Sequence, residues 1–405
     1  MTWFEEPAHT KTLAEEYDRL LDFGTDLVHP AGGAAWLDDH GRPDLDRGVL
    51  TWITCRMLHV HAIAALTGHA GSRELAQRLL DGLAGPLRDA DHDGWFHRLD
   101  ADGRPDRAAG KSCYDHAFVL LGTSSAAIAG LDGSDALLAD AGDVFLQRFW
   151  DDSAGRCRDH FSADWSDLDP YRGLNAAMHA VEAMLAVADA TDDDAWRQRA
   201  ARIAGFVVDL AASYDGRLPE HFDSDWTPEL DHNADQPADP FKPYGATVGH
   251  GLEWSRLLLT LDAALPDDRL LPTAELLFDR AVADGWEVDG APGFVYTTDW
   301  SGRPVVPDRM HWVLAEALAA AAALHRRTGE EHYADRFAQW WQHAGDCFFD
   351  NTAGSWHHQL DRHNRPAAGV WPGKPDLYHA VQATLLPRLP LAPTITRAVA
   401  DGALA

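Results

Sequence analysis

The sequence predicts an all-α chain folded as an (α/α)6 barrel, with six inner and six outer helices and short β-hairpin loops at the mouth. Three observations predict it. Apolar residues recur at helical spacing almost throughout, and strand-like alternation is short and confined to connections. A Gly-centred segment recurs as DGWFHRLDADGRP (93–105), AGRCRDHFSADW (154–165), DGRLPEHFDSDW (215–226), PGFVYTTDWSGRP (292–304) and AGSWHHQLDRHNRP (353–366). Finally, a polar cluster opens the helix after each of these segments. A repeat of helix, turn, helix and hairpin buries all its apolar faces by closing into a ring. An open helical solenoid obeys the same packing logic, but its repeats are usually shorter and it needs no shared polar pocket.

In chain order, helices are predicted near 10–28, 49–67, 72–85, 112–130, 135–150, 174–190, 193–213, 247–263, 270–285, 308–326, 331–349 and 375–388. The marker glycines Gly94, Gly155, Gly216, Gly293 and Gly354 are separated by 61, 61, 77 and 61 residues. The longer interval reflects an insertion in the Asp- and Pro-rich segment 227–242, which reads as a functional loop rather than a linker. The Gly-centred segments read as hairpins, and the first copy of the repeat is degenerate. No interior Pro/Gly/Ser-rich linker divides the sequence, so residues 1–405 are expected to form a single catalytic domain.

Composition narrows the function. A chain of 405 residues with 46% hydrophobic content supplies a large core. A formal net charge of −30 repels nucleic acid and anionic membranes, so neither is expected as a partner. Cys55, Cys113, Cys157 and Cys347 are scattered without a C-x-x-C pair, which points to neither a zinc knuckle nor a disulfide framework. The N-terminal MTWFEEPAHT has no basic region followed by an apolar run, and a cytoplasmic location is expected. Trp outnumbers Tyr sixteen to eight; such rings serve as carbohydrate stacking platforms, although most are expected in the core.

The polar clusters carry the chemistry. The first inner helix offers Arg56, His59 and His61; the next begins with Asp115 and His116; the third holds Asn175, His179 and Glu182. The fourth, GATVGHGLEWSRLLL, carries His250 and Glu253; the fifth has Arg309, His311 and Glu316, and the last Asp376, His379 and Gln382. An H-x-x-[EQ] unit thus recurs at 179/182, 250/253 and 379/382, each pair sharing one helix face. Imidazoles beside carboxylates suit reversible proton transfer at neutral pH. A metal site is the first rival, but helical carboxylate sites usually read Glu-x-x-His, and H-E-x-x-H is absent. Glycoside hydrolysis needs two carboxyl groups, which Asp115, Glu182, Glu253 and Glu316 could supply, but it does not need so many histidines. Helix capping is the plain alternative for Asp376 and Asn175.

These stretches resemble the N-acylglucosamine 2-epimerase superfamily, and within it the aldose–ketose isomerases acting on mannose or sulfoquinovose. The matching segments are CRMLHVHA (55–62), RGLNAAMHAVEA (172–183), PYGATVGHGLEWSRLLL (243–259), HWVLAEA (311–317) and PGKPDLYHAVQATLLP (372–387). The resemblance implies an (α/α)6 barrel without metal or organic cofactor, and isomerisation or epimerisation of a monosaccharide through a cis-enediol. It implies that His250 and His379 are the proton-transfer pair and that Arg56 steadies the sugar oxygens. It places His179, Glu182, Glu253, Trp312 and Glu316 in the same pocket; Asn175, Asp115 and Gln382 are further candidates for holding hydroxyl groups. His379 is the expected C1/C2 base and His250 its partner, although the roles can be exchanged. The last motif favours interconversion of D-mannose with D-fructose, and of D-lyxose with D-xylulose, over a mannose/glucose 2-epimerase. A sulfoquinovose isomerase needs extra cations, for which Arg172, Lys242 and Arg309 are the candidates.

Overall fold

A computed structural model describes residues 2–404. Among these, thirteen α-helices run in sequence order: α1 (Pro7–Leu21), α2 (Thr51–Leu66), α3 (Ser72–Ala84), α4 (Cys113–Ile128), α5 (Ser134–Val144), α6 (Leu174–Thr191), α7 (Asp194–Ser213), α8 (Val248–Ala264), α9 (Leu270–Gly285), α10 (His311–Thr328), α11 (Glu331–His343), α12 (Tyr378–Leu385) and α13 (Ile395–Ala400). The first ends well before the predicted residue 28, because Gly24 turns the backbone at φ +65°. The fifth is shorter than predicted and passes into a π turn over Phe145–Phe149. The twelfth begins three residues later than expected, beyond Pro375, and α13 has no counterpart in the sequence reading.

Two compact units make up the molecule. One holds Gly24–Ile203 and Pro375–Tyr378, with the C-terminal segment from Pro393. In it α2 packs on α3 and α4, α4 on α5 and α6, and α13 against α2, α4 and α6. The other holds Ala204–Lys374 and His379–Ala392, with the N-terminal segment through Phe23. In it α8 packs on α9 and α10, and α10 on α11. Burial separates two kinds of helix. All residues from Thr51 to Ala64 of α2 are buried, and so are all from Val248 to Leu259 of α8; α3 and α11 bury one stripe only.

The Gly-centred segments are hairpins, and their register shows how the repeat is stitched. The strand entering α4 pairs with the next hairpin (Lys111↔Phe161), and the strands entering α8 and α10 do the same (Ala246↔Thr298, Arg309↔Leu360). Within each unit a hairpin carbonyl then accepts the first N–H of an inner helix: Thr51 N to His97 O at 3.0 Å, Cys113 N to Asp159 O at 2.7 Å, Val248 N to Tyr296 O at 3.2 Å and His311 N to His358 O at 3.0 Å. These N–H groups have no intrahelical acceptor, so the hairpins cap the helices that carry the polar clusters. Buried cations fasten the hairpin turns. Lys111 Nζ reaches Asp89 at 2.8 Å and the Asp93 carbonyl, and Lys374 Nζ reaches Asp350 and the Gly354 carbonyl, both at 2.7 Å.

Candidate active site

In the unit containing α8, α10 and α12, two histidines each meet a carboxylate. His250 Nδ1 lies 2.9 Å from Glu220 Oε1, and His379 Nδ1 lies 3.0 Å from Glu316 Oε1. All four residues are buried. An ionised carboxylate accepts from Nδ1–H, which fixes the tautomer with hydrogen on Nδ1 in each ring. Trp312 stands beside both, with ring centroids 5.2 Å from His250 and 5.7 Å from His379. Its seat depends on Gly249, where a Cβ would lie 2.2 Å from a Trp312 ring carbon. His311 is stacked on His358 at 3.8 Å and meets His379 edge-on at 6.3 Å.

This pairing corrects one detail of the helix-face reading. His250 and Glu253 share a face, yet the Nδ1 partner of His250 is Glu220, thirty residues earlier in the hairpin after α7. For His250 the acceptor at the ring edge comes from a neighbouring element rather than from its own helix. Glu253 instead lies 3.6 Å from Arg256. Arg256 Nε also binds Glu316 Oε2 at 2.9 Å, so that carboxylate is shared between a guanidinium and His379. Gln382 is buried one turn along α12 from His379.

In the other unit Arg56 is 7% exposed and stacks over three rings, Trp52, Phe118 and Tyr378, at 4.5–4.9 Å. Its nitrogens reach Asp376 Oδ2 at 3.2 Å and Tyr114 Oη at 3.0 Å. Burial opposes its charge, but Tyr114, Asp376 and Tyr378 together hold the guanidinium above its ordinary range. Asp376 lies two residues before α12 rather than at its cap, and it accepts from Tyr378 N as well as pairing with Arg56. His179 and Glu182 do form an i,i+3 pair, at 3.7 Å, and Glu182 accepts from the Tyr378 hydroxyl. Asn175 is the second residue of α6 rather than its cap, and its Oδ1 has no hydrogen-bond partner among the described residues. Asp115 is fully buried between Ser112 and His97, and its charge raises the pKa of His97.

Other polar residues of the clusters are structural. His116 accepts from Trp95 N at 3.1 Å through Nε2 and meets the Ser112 carbonyl at 2.7 Å through Nδ1; burial pushes its pKa down to about 4. His59 and His61 are likewise held down to about 4 by burial. Arg309 is taken by Asp289 and Arg172 by the Asp169 and Tyr171 carbonyls.

Glu220 and Arg256 are the two residues that sequence reasoning missed. Glu220 had a signal: it stands three residues before the turn residue Asp223, where the other hairpins carry His97, Asp159, Tyr296 and His358.

The chain is similar along most of its length to known proteins. A D-mannose isomerase of Thermobifida fusca is 52% identical over 402 residues, 98% of each protein. A D-mannose isomerase of Pseudomonas cannabina pv. alisalensis is 46% identical over 407 residues, covering 98% of this chain and 97% of that one. A crystal structure of D-mannose isomerase superposes with a TM-score of 0.88 at 29% identity, over 95% of this chain and 99% of the other. The cellobiose 2-epimerase of Spirochaeta thermophila DSM 6192, at 21% identity and a TM-score of 0.81 over 93% and 95% of the two chains, shares the fold. The fold is all-α, of the (α/α)6 class. The N-acylglucosamine 2-epimerase (GlcNAc 2-epimerase) family profile matches residues 32–383, and the chain belongs to that family.

Proposed function

We propose that the protein is a D-mannose isomerase, an aldose–ketose isomerase that converts the acyclic aldehyde form of D-mannose to D-fructose and that of D-lyxose to D-xylulose. The observation that carries this reading is 52% identity along essentially the whole sequence to a protein of that activity. The two histidine–carboxylate dyads supply suitable chemistry. One imidazole Nε2 takes the proton from C2 while the C1 carbonyl oxygen gains the charge. The resulting enediolate is protonated at O1, loses the O2 proton, and receives hydrogen at C1 to give the ketose. His379 is assigned as the C1/C2 base, with His250 opening the ring and moving protons between O1 and O2. Arg56 is assigned to steady the enediolate oxygens. Trp312, His179, Glu182, Glu253, Glu316, Asn175, Asp115 and Gln382 complete the proposed binding set, directly or by holding the residues that touch sugar.

A neutral sugar is favoured because Arg309 and Arg172, two of the three cations considered for a sulfonate, are engaged by Asp289 and by backbone carbonyls. The reaction is assigned no metal or cofactor. No described helix is long and apolar enough to cross a membrane, and four free cysteines fit the reducing cytoplasm to which we assign the protein.

The test is proton NMR of EDTA-treated protein with mannose in D2O. Fructose as first product, formed without added metal, supports the assignment, and deuterium at C1 reports exchange through the enediol. Glucose as first product moves the assignment to a 2-epimerase. Inertness towards mannose, lyxose and fructose, with turnover of sulfoquinovose, overturns the neutral-sugar reading, and activity only on return of metal overturns the two-histidine mechanism.

A further inference from the structure

The two dyads differ in one respect that concerns neither histidine directly. Glu316 divides its oxygens: Oε1 goes to His379 and Oε2 to Arg256 Nε at 2.9 Å, and Arg256 is 4% exposed. Glu220 has no such division, since no Lys or Arg forms an ion pair with it among the described residues. A carboxylate whose charge is matched by a buried guanidinium stabilises an imidazolium less than one whose charge is unmatched. A charge within about 4–6 Å moves a titration midpoint by about one to three pH units. Within this unit the titratable and charged groups around His379 include Glu316, Arg256 behind it with Glu253 at 3.6 Å, and His311, edge-on and itself stacked on His358. Those around His250 are Glu220 and, one turn along α8, Glu253.

We propose that Arg256 is a positioning residue for the proton-transfer pair: by holding Glu316 it orients His379 and keeps it the weaker base of the two histidines. This rests on the isomerase reading, in which one histidine must start neutral and the other protonated. Two equivalent dyads would gain and lose their protons together, whereas unequal ones divide the roles at a single pH. The weaker base is then the one suited to starting neutral and taking the C2 proton, and the stronger the one suited to giving a proton to oxygen. Arg256 touches no reacting atom in this scheme and acts only through Glu316.

The experiment is a pH titration of substrate-free protein labelled with 13C at histidine Cε1. The His250 and His379 signals are assigned by their loss in His250→Asn and His379→Asn. The expected result is a lower midpoint for His379 than for His250. Arg256→Met should raise the His379 midpoint by about one pH unit or more and by more than any change at His250, and Arg256→Lys should hold it near the wild-type value. In Glu316→Gln the His379 midpoint falls, and in Arg256→Met/Glu316→Gln the rise is abolished. The double variant removes both charges together and, with Arg256→Lys and Glu316→Gln, carries the test if Arg256→Met does not fold. An unmoved His379 in Arg256→Met, or a wild-type His379 midpoint at or above that of His250, overturns the proposal. Because no substrate is present, a failure here is distinct from a failure of the isomerase reading, which the product assay alone decides.

Discussion

Glu220 and His250 are thirty residues apart, and their side chains meet at 2.9 Å with both groups buried. The bond does for His250 what Glu316 does for His379. It fixes the tautomer with hydrogen on Nδ1, and in the proposed mechanism Nε2 is the atom that exchanges a proton with substrate. Glu220→Gln keeps a side chain of the same size and can still accept through its amide oxygen, but removes the charge that stabilises an imidazolium. We expect kcat for mannose to fall by about 100-fold, with a smaller change in KM and an unchanged melting profile. Glu220→Ala should fall further. A loss confined to KM, or full activity in the glutamine variant, would remove Glu220 from the proton-transfer machinery.

The two histidines should separate by isotope exchange. If His379 is the C1/C2 base, His379→Asn abolishes both turnover and loss of deuterium from [2-2H]mannose in H2O. His250→Asn lowers turnover by about 10²–10⁴-fold but retains slow washout once the aldehyde form is supplied, since carbon deprotonation does not use it. The reverse pattern would exchange their roles.

How far these arrangements are legible in the sequence depends on their range along it. The helices follow from 3.6-residue periodicity, and the repeat from the spacing of Gly94, Gly155, Gly216, Gly293 and Gly354, both of them local signals. His179 with Glu182 is also local and forms as read, at 3.7 Å. The Glu220–His250, Glu316–His379 and Arg256–Glu316 contacts span 30, 63 and 60 residues, and they exist only because hairpin and helix, or helix and helix, are packed side by side. Reading helix starts alone therefore finds the histidines but not the Nδ1 partners that neighbouring elements bring to His250 and His379. Aligning the hairpins by their turn residue brings Glu220 into view, because that position holds a polar side chain in all five copies. Arg256 has no such mark: an arginine one turn beyond a glutamate reads as an ordinary i,i+3 pair.

Acid should destabilise the protein in a defined window. His59 and His116 have folded-state pKa values of about 4, both from burial, against an ordinary 6.5. Between these values the unfolded state takes up protons that the folded state refuses, so stability rises with pH there and is lost as pH falls from 6.5 towards 4. Each group contributes on the order of 3 kcal/mol across the window at 1.36 kcal/mol per pH unit. His116 gives the clearer case, since protonating Nε2 would displace the Trp95 N–H that it accepts at 3.1 Å. Urea unfolding at pH 7 and pH 5 should show a steep loss in wild type and a shallower one in His116→Gln. Equal slopes would mean that His116 already carries a proton in the folded state or is not buried.

Gly249, immediately before His250, tests how Trp312 is held. A Cβ there would stand 2.2 and 2.6 Å from two Trp312 ring carbons and 2.8 Å from Val313 Cγ2. Helix propensity argues for Ala over Gly by about 1 kcal/mol, and Gly249 carries no positive φ that would favour glycine. Overpacking argues the other way by about 1–3 kcal/mol. At 2.2 Å something must move, and Val313 is fully buried, so the indole is the group that gives way. Trp312 packs at 5.2 and 5.7 Å from the His250 and His379 imidazoles, so its displacement reaches both dyads. We expect Gly249→Ala to lower the melting temperature and to reduce kcat by about 10-fold or more, since small misplacements of catalytic groups are costly. Trp312→Phe shrinks the ring that would be struck; in Gly249→Ala/Trp312→Phe the alanine should therefore cost less stability than it does beside tryptophan. Additive effects of the two substitutions would show that Gly249 matters for some reason other than the seat of Trp312.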